Sequence, residues 1–190
     1  SIISTLVSIL ESKENVELQL EKHVTDIQNH KVTITSDTGR TKHFKCKTVI
    51  STIPYQETIQ LPLFQTLDFL HCVEPIPLLR IYAKYPVPKH KQVWFHNIKR
   101  TTTNNYIRHV IPIDPTKGLI MISYTDAAYA TMWNQLSQST LIKNLHREIK
   151  KLFSIKHIPT PTFVKTYFWK EGVHMWKVNQ SMNRIYTQIL

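Results

Sequence analysis

The sequence predicts an α+β fold, in which an antiparallel or mixed sheet with helices is inserted into part of an α/β domain. Strand-like runs with a period of two residues cluster in the middle of the chain, as in antiparallel sheets. Before them, the short and mostly apolar run 48–55 is typical of a buried strand in a parallel sheet. After them, the segment 137–153 carries an apolar stripe at helical spacing with basic residues opposite.

The first third of the chain is predicted to hold one helix and several strands. Apolar spacing over 2–12 predicts an amphipathic helix that ends near Ser12. Alternation at 16–20 and again at 24–27 predicts a strand followed by a bend or a second strand. Two further strands flank 37–39, where glycine supplies the positive φ of a hairpin turn.

The rest of the chain is predicted to form a separate antiparallel sheet, a helix and a returning strand. Three prolines mark an irregular crossing into this region, at positions 62, 75 and 77. Strand-like runs then occupy 77–86, 92–98, 105–113, 118–125 and 158–169. Ser139 or Thr140 is expected to cap the helix. The tail 181–190 fits a strand or a helix equally well.

The net charge of the chain favours some classes of binding partner over others. A net charge of +11 favours an acidic partner such as nucleic acid, anionic lipid or a phosphate-bearing cofactor. The densest basic cluster, 89–100, includes Trp94 and Phe95 at strand spacing, so solvated lysines around a buried aromatic pair explain it equally well. No nucleic-acid motif accompanies the cluster, and nucleic-acid binding is the least favoured of our hypotheses.

Other composition signals argue against several classes of protein. No apolar run approaches the roughly 20 residues of a membrane helix, and the opening residues do not make a signal peptide. Cys46 and Cys72 lie far apart, which fits a reducing compartment rather than a disulfide framework. None of the ten histidines has a metal-binding spacing, so no metal site is predicted.

The stretch 166–177 concentrates aromatic and titratable side chains around a glycine. Its members are Tyr167, Phe168, Trp169, Glu171, Gly172, His174 and Trp176. Such a mixture is found at pocket edges, where aromatic rings supply contact area and polar groups fix orientation. It also fits an ordinary core strand that ends in a turn, and the sequence leaves both interpretations open.

Five segments together resemble the middle part of the flavin-dependent amine oxidases, which include the monoamine and polyamine oxidases and versions carried by large DNA viruses. The matching segments, in order, are 18–27, 47–55, 77–86, 118–130 and the stretch that ends at Trp169. The resemblance implies FAD as cofactor and a small-molecule amine as substrate. It further implies that 1–56 belongs to an FAD-binding domain, 57–168 to a substrate-binding domain, and 169–190 to a truncated return.

The resemblance also assigns roles to individual residues near the cofactor. Val24 falls where a family valine contacts the adenine of FAD through its backbone, and Thr52, Ile53 and Pro54 fall on the loop beside the cofactor. Trp169 matches a tryptophan that packs close to the flavin.

Three further residues are implied in catalysis and substrate binding. Arg80 occupies the position of a family lysine that reaches flavin N5 through a water; its planar fork makes this substitution non-conservative. Tyr124 falls on an aromatic that lines the substrate cavity, and Trp176 stands near the aromatic that faces the flavin ring. We expect Tyr124 and Trp176 to bracket the amine, because aromatic faces suit amines and cations.

Two hypotheses follow from the motifs that the sequence lacks. With only three glycines it contains no GxGxxG loop, so we expect a fragment of a flavoprotein that cannot hold FAD in the family's way by itself. The alternative is a catalytically silent structural or interaction protein, such as a virion component, that retains the fold. Either protein is expected in the cytoplasm or a virion, with oligomeric state left open.

Overall fold

The computed structural model describes residues 2–28 and 30–189 and confirms the mixed α+β class with antiparallel sheets. Contacts divide the chain into two units, one reaching Leu70 and resuming at Gln188, the other covering His71–Thr187. The sequence prediction placed its domain changes after residues 56 and 168. The assignment of 1–56 and 169–190 to a cofactor domain stays a prediction.

The first unit contains a three-stranded antiparallel sheet and short helices. Its elements are α1 (Ile2–Glu11), β1 (His23–Gln28), β2 (Lys31–Thr35), β3 (Thr41–Lys45), α2 (Tyr55–Thr58), α3 (Pro62–Gln65) and α4 (Asp68–His71). The predicted helix at 2–12 and the predicted hairpin are confirmed, and Gly39 has the expected positive φ of 77°. The strand expected at 16–20 is absent, since pairing begins at β1.

The buried strand predicted at 48–55 is wrong. Residues 48–54 form no strand, Ile50 is 86% exposed, and α2 begins directly after Pro54. A buried parallel strand needs neighbours for its N–H and C=O groups. In the part of the chain that the structure describes, this unit's sheet is the meander β1-β2-β3, and none of its strands pairs with the segment. Apolar composition indicated burial but could not indicate a partner.

The second unit is built on a sheet with strand order β5-β6-β7-β4-β8. Its elements are β4 (Val73–Lys84), β5 (Thr101–Thr102), β6 (His109–Asp114), β7 (Leu119–Asp126), α5 (Ala127–Asn134), α6 (Gln138–Phe153), β8 (Phe163–Trp176) and α7 (Met182–Ile189), whose last residues pass to the first unit. The strands predicted at 77–86, 105–113, 118–125 and 158–169 correspond to β4, β6, β7 and β8. The ambiguous tail is helical.

One face of this sheet forms the core. Leu79, Ile81 and Ala83 alternate along β4 and are at most 1% exposed. Trp133 of α5 and Leu145 of α6 belong to the same hydrophobic cluster, so the two helices cover this face. The alternation follows from the strand period of two residues, which sends the intervening side chains to the opposite face.

Three details of this unit differ from the sequence expectation. The cap of α6 is Ser137, whose hydroxyl accepts from the Thr140 amide, rather than Ser139 or Thr140 itself. Helix α5 was not predicted. The segment 92–98 is a series of turns rather than a strand, because Trp94 and Phe95 pack edge-on against buried Tyr85 instead of joining the ladder.

Strand β8 bulges at Gly172. Ile76 pairs with Val173 whereas Leu78 pairs with Trp169, so β8 carries two extra residues opposite this part of β4. The backbone of Gly172 lies so close to Leu78 that an added Cβ would overlap the Leu78 Cβ. Glycine therefore permits the bulge by close approach, rather than by an unusual φ.

We expect Gly172→Ala to lower the free energy of unfolding by about 1–3 kcal/mol, because the new methyl group overpacks against Leu78. The test is a double-mutant cycle with Leu78→Gly, measured by urea denaturation. Without the Leu78 Cβ, the alanine should cost clearly less. Equal costs in the two backgrounds would contradict this account of the bulge.

Tyr85, which directly follows β4, and His146 of α6 form a hydrogen-bonded pair. The Tyr85 hydroxyl lies 2.8 Å from Nε2 of His146. Burial raises the pKa of Tyr85, while burial and then the charge of Lys150 lower the pKa of His146. Both shifts favour the neutral forms, so the hydrogen bond joins a neutral tyrosine to a neutral imidazole at neutral pH.

We expect this pair to make folding stability fall as the pH drops below about 6.5, the usual histidine pKa. The unfolded chain protonates His146 there, whereas the folded chain does so only at lower pH, so acid favours unfolding. Denaturant midpoints at pH 7.5 and pH 5 measure the loss. His146→Gln should shrink the difference between them; an unchanged difference would show that other groups cause it.

Candidate cofactor and substrate sites

The face of the second sheet opposite the core, which we call the open face, centres on Arg80. Strand β4 lies between β7 and β8, and Arg80 pairs directly with Tyr124 on one side and Tyr167 on the other. Directly paired residues point to the same face. The register therefore places a cation between two aromatic side chains on the open face.

The Arg80 guanidinium is held by aromatic rings. Its central carbon lies 4.9 Å from the Tyr124 ring centroid and 5.7 Å from that of Trp169. The pKa of Arg80 is raised, first by a hydrogen bond with Tyr124, although burial acts in the opposite direction. Its Nε is buried and has no hydrogen-bond partner among the described residues. The group is thus a fixed positive charge with one donor unused.

A concave pocket of about 470 Å³ opens beside this cation. It is lined by Arg80, Tyr82, Leu119, Phe163, Lys165, Tyr167 and Trp169. Tyr167 and Trp169 stack at 5.9 Å with an 18° angle between their rings, and Tyr82 meets Tyr167 edge-on at 5.8 Å. The pocket offers flat apolar area and two cations, and no carboxylate lines it.

The first unit has its own pocket, of about 390 Å³. It is lined by Lys22, His23, Val24, Thr25, Ile53, Pro54, Glu57, Gln60 and Leu61. The structure thus brings together three residues predicted to contact the cofactor, Val24, Ile53 and Pro54, while Thr52 does not line the pocket. The Thr58 hydroxyl donates to the carbonyls of Ile53 and Pro54, which fixes this loop.

The first-unit pocket has the size of a small-molecule site. Its volume lies within the range of about 300–1,000 Å³ that is usual for ligand sites. The β1–β2 register shifts between Val24 and Asp26, so the ladder is interrupted next to the predicted adenine contact. An interrupted ladder leaves backbone polar groups for a ligand.

The expected bracket of Tyr124 and Trp176 is not formed. Trp176 pairs with Val73 near the far end of β4, whereas Tyr124 pairs with Arg80. Arg80 and Val73 are seven positions apart on β4, so at about 3.3 Å per strand residue Tyr124 and Trp176 lie roughly 20 Å apart along the strand direction. The aromatic partners of the Arg80 region are Trp169 and Tyr167 instead. The individual roles assigned to Tyr124, Trp169 and Trp176 stay predictions.

Sequence reasoning missed Tyr82 and Lys165, and it named Tyr167 only as a member of the aromatic stretch 166–177. Their signal was present as period-two spacing: Tyr82 follows Arg80 by two positions, and Lys165, Tyr167 and Trp169 alternate along β8. The resemblance had directed attention to Trp169 alone. Alternation would have shown that these side chains share one face.

The described residues also bear on two other types of site. No group of three or more histidine, cysteine or acidic side chains is placed to hold a metal ion. Within the same residues, no helix has the length and apolar character needed to cross a membrane.

Comparisons with known proteins agree with this architecture. No protein with curated functional information matches the sequence. The fold is similar to the crystal structure of a protein assigned as a protoporphyrinogen oxidase from Exiguobacterium sp. 255-15, with a TM-score of 0.68 and 14% sequence identity. That match covers 100% of this chain but 44% of the other, so the chain spans less than half the length of that protein. The family described as flavin containing amine oxidoreductase matches residues 3–184. The chain therefore belongs to the flavin-containing amine oxidoreductase family.

Proposed function

We propose that this chain is part of an FAD-dependent oxidoreductase that oxidises the C–N bond of an amine by hydride transfer to the flavin, with O₂ as electron acceptor. The observation that carries the proposal is the open-face pocket, where Arg80 lies between Tyr124 and Trp169 beside further aromatic area. Family membership supplies the reaction class. Neither the family match nor the structural match supports a viral origin. A location in the cytoplasm or in a virion is part of the proposal.

Val24, Ile53 and Pro54 would hold the adenine end of FAD in the first-unit pocket. When bound, the flavin supplies the chemistry, since it accepts a hydride and passes the electrons to oxygen. The protein's own contribution is binding and orientation. No Ser-His pair or carboxylate lines the open-face pocket, which agrees with a reaction that needs no side-chain base.

The open-face residues would orient the substrate and limit water. Tyr167 and Trp169 present stacked rings against which a flat substrate can lie. Arg80 is charged, as guanidinium groups are in proteins, and it packs against the rings of Tyr124 and Trp169, which restrict its motion. A charge held in place needs little reorganisation during a reaction, which is how polar groups aid catalysis.

A catalytically silent protein that retains the fold is the second candidate. The observation that favours it is Arg80 itself. The resemblance implies a lysine there, and a guanidinium packed between two rings cannot present a single ammonium donor to a water. Such a protein would use its basic surface for interaction with a partner, for example within a virion.

The full-length protein, purified under native conditions, should be yellow and show the visible absorbance of bound flavin. Ile53→Glu should lower the flavin content several-fold, because a carboxylate in the first-unit pocket would disfavour the cofactor. Ile50→Glu is the control, since Ile50 lies on the same segment, is 86% exposed and does not line the pocket. A colourless full-length protein would favour the silent alternative.

If Arg80 occupies the position of the family lysine, Arg80→Lys should raise the rate at which oxygen reoxidises the reduced flavin. We expect about a tenfold increase, the effect of one added charge-assisted hydrogen bond. Stopped-flow mixing of the anaerobically reduced protein with oxygen measures this rate. Lys143→Arg, an exchange of cation type at an exposed position of α6, should leave it unchanged. An unaltered rate in Arg80→Lys would remove the assigned role.

A further inference from the structure

We propose that the substrate of the open-face pocket carries a carboxylate beside a flat apolar group, and that Arg80 binds this carboxylate with Lys165 as a second cation. The proposal rests on the proposed function in taking this pocket as the substrate side. It goes further by specifying the charge of the substrate, which family membership leaves open.

The charges at the pocket favour an anion over an ammonium group. Its lining includes two cations, Arg80 and Lys165, and no acidic side chain. A protonated amine would enter against repulsion from both, whereas a carboxylate would be attracted by both. The net charge of +11 adds a field of the same sign over the whole chain.

The nearest carboxylate on β7 does not neutralise Arg80. Asp126 pairs with Leu78, two positions along β4 from Arg80. It is exposed, forms no ion pair with Arg80 and does not line the pocket. Arg80 packs against the rings of Tyr124 and Trp169, and among the described residues it forms no ion pair with an acidic group.

The guanidinium of Arg80 lines the pocket, and no described carboxylate pairs with it, so N–H groups at its end can donate to a ligand. Leaving a charged group's donor unpaired is unfavourable, and a carboxylate accepts from two guanidinium N–H groups at once. The ring contacts at 4.9 and 5.7 Å limit the orientations of the fork, so less entropy is lost on binding.

The flat apolar part of the substrate is indicated by exposed aromatic area next to the cations. Phe163, Tyr167 and Trp169 line the pocket and are 52%, 46% and 42% exposed. These residues and Lys165 alternate along β8, which places the ammonium of Lys165 over the Tyr167 ring at 5.7 Å. An aromatic or other flat group could cover the rings while its carboxylate reaches Arg80.

The test compares three probes with one skeleton and different charge: phenylbutyrate, phenylbutylamine and phenylbutanol. Isothermal titration calorimetry of the full-length protein measures each dissociation constant. We expect phenylbutyrate to bind at least about tenfold more tightly than the other two, as a charge-assisted hydrogen bond allows. Added salt should weaken the binding of phenylbutyrate more than that of phenylbutanol.

Variants assign the preference to the pocket. Arg80→Gln should abolish it, Lys165→Gln should reduce it, and Lys143→Gln, which removes an exposed charge on α6, should leave it intact. Trp169→Ala should weaken all three probes, whereas Met175→Ala, at an exposed position on the same strand but outside the pocket, should not. Preference for the amine, equal binding, no binding of any probe, or a preference that survives Arg80→Gln would each overturn the proposal.

The result is independent of whether flavin is bound. A colourless protein that prefers phenylbutyrate through Arg80 would contradict the proposed oxidation and keep the anion site. A yellow protein that prefers phenylbutylamine would keep the proposed oxidation and contradict the anion site.

Discussion

The alternation of side chains along β4 is the constraint on which the second unit depends. Leu79, Ile81 and Ala83 enter the core, and burying each large apolar side chain contributes about 1.5–3 kcal/mol. A slip of one residue would move this set to the open face and drive Arg80 into the core. Burial of an unpaired charge is far more costly than the loss of one apolar contact. The core therefore determines the register, and the register determines the site.

The position of Arg80 follows from the neighbours of β4. Because β4 lies between β7 and β8, Arg80 has a partner on both sides, and both partners are tyrosines. Trp169 joins them from the position paired with Leu78. This aromatic surrounding raises the pKa of Arg80 through the Tyr124 hydroxyl while supplying no opposite charge. The arrangement keeps a cation partly buried without neutralising it.

The spacing of apolar residues predicted those elements that can be recognised without knowing which segments pack beside them. Strands β4, β7 and β8 and helix α6 each repeat their own signal over many residues, so local pattern was sufficient. The spacing failed where the structure of a segment depends on the strands or side chains that pack against it. The apolar segment 48–54 lacks a neighbouring strand among the described residues, and 92–98 is held by ring packing against Tyr85. The separation of Tyr124 from Trp176 depends on strand register, which no sequence period encodes.

Family membership and the charges at the pocket favour different charges on the substrate. The family name indicates an amine, whereas Arg80 and Lys165 favour an anion. A fold shared at 14% identity can carry different sites, because function resides in the side chains placed on the fold. Here those side chains are an arginine packed against two aromatic rings, a lysine, and a pair of stacked aromatic rings. Among the described residues, no acidic side chain lines the pocket. An oxidisable amine and an anionic anchor are compatible in one molecule. The carboxylate that we propose, at the end of the substrate that meets β4, would therefore add to the family expectation rather than replace it.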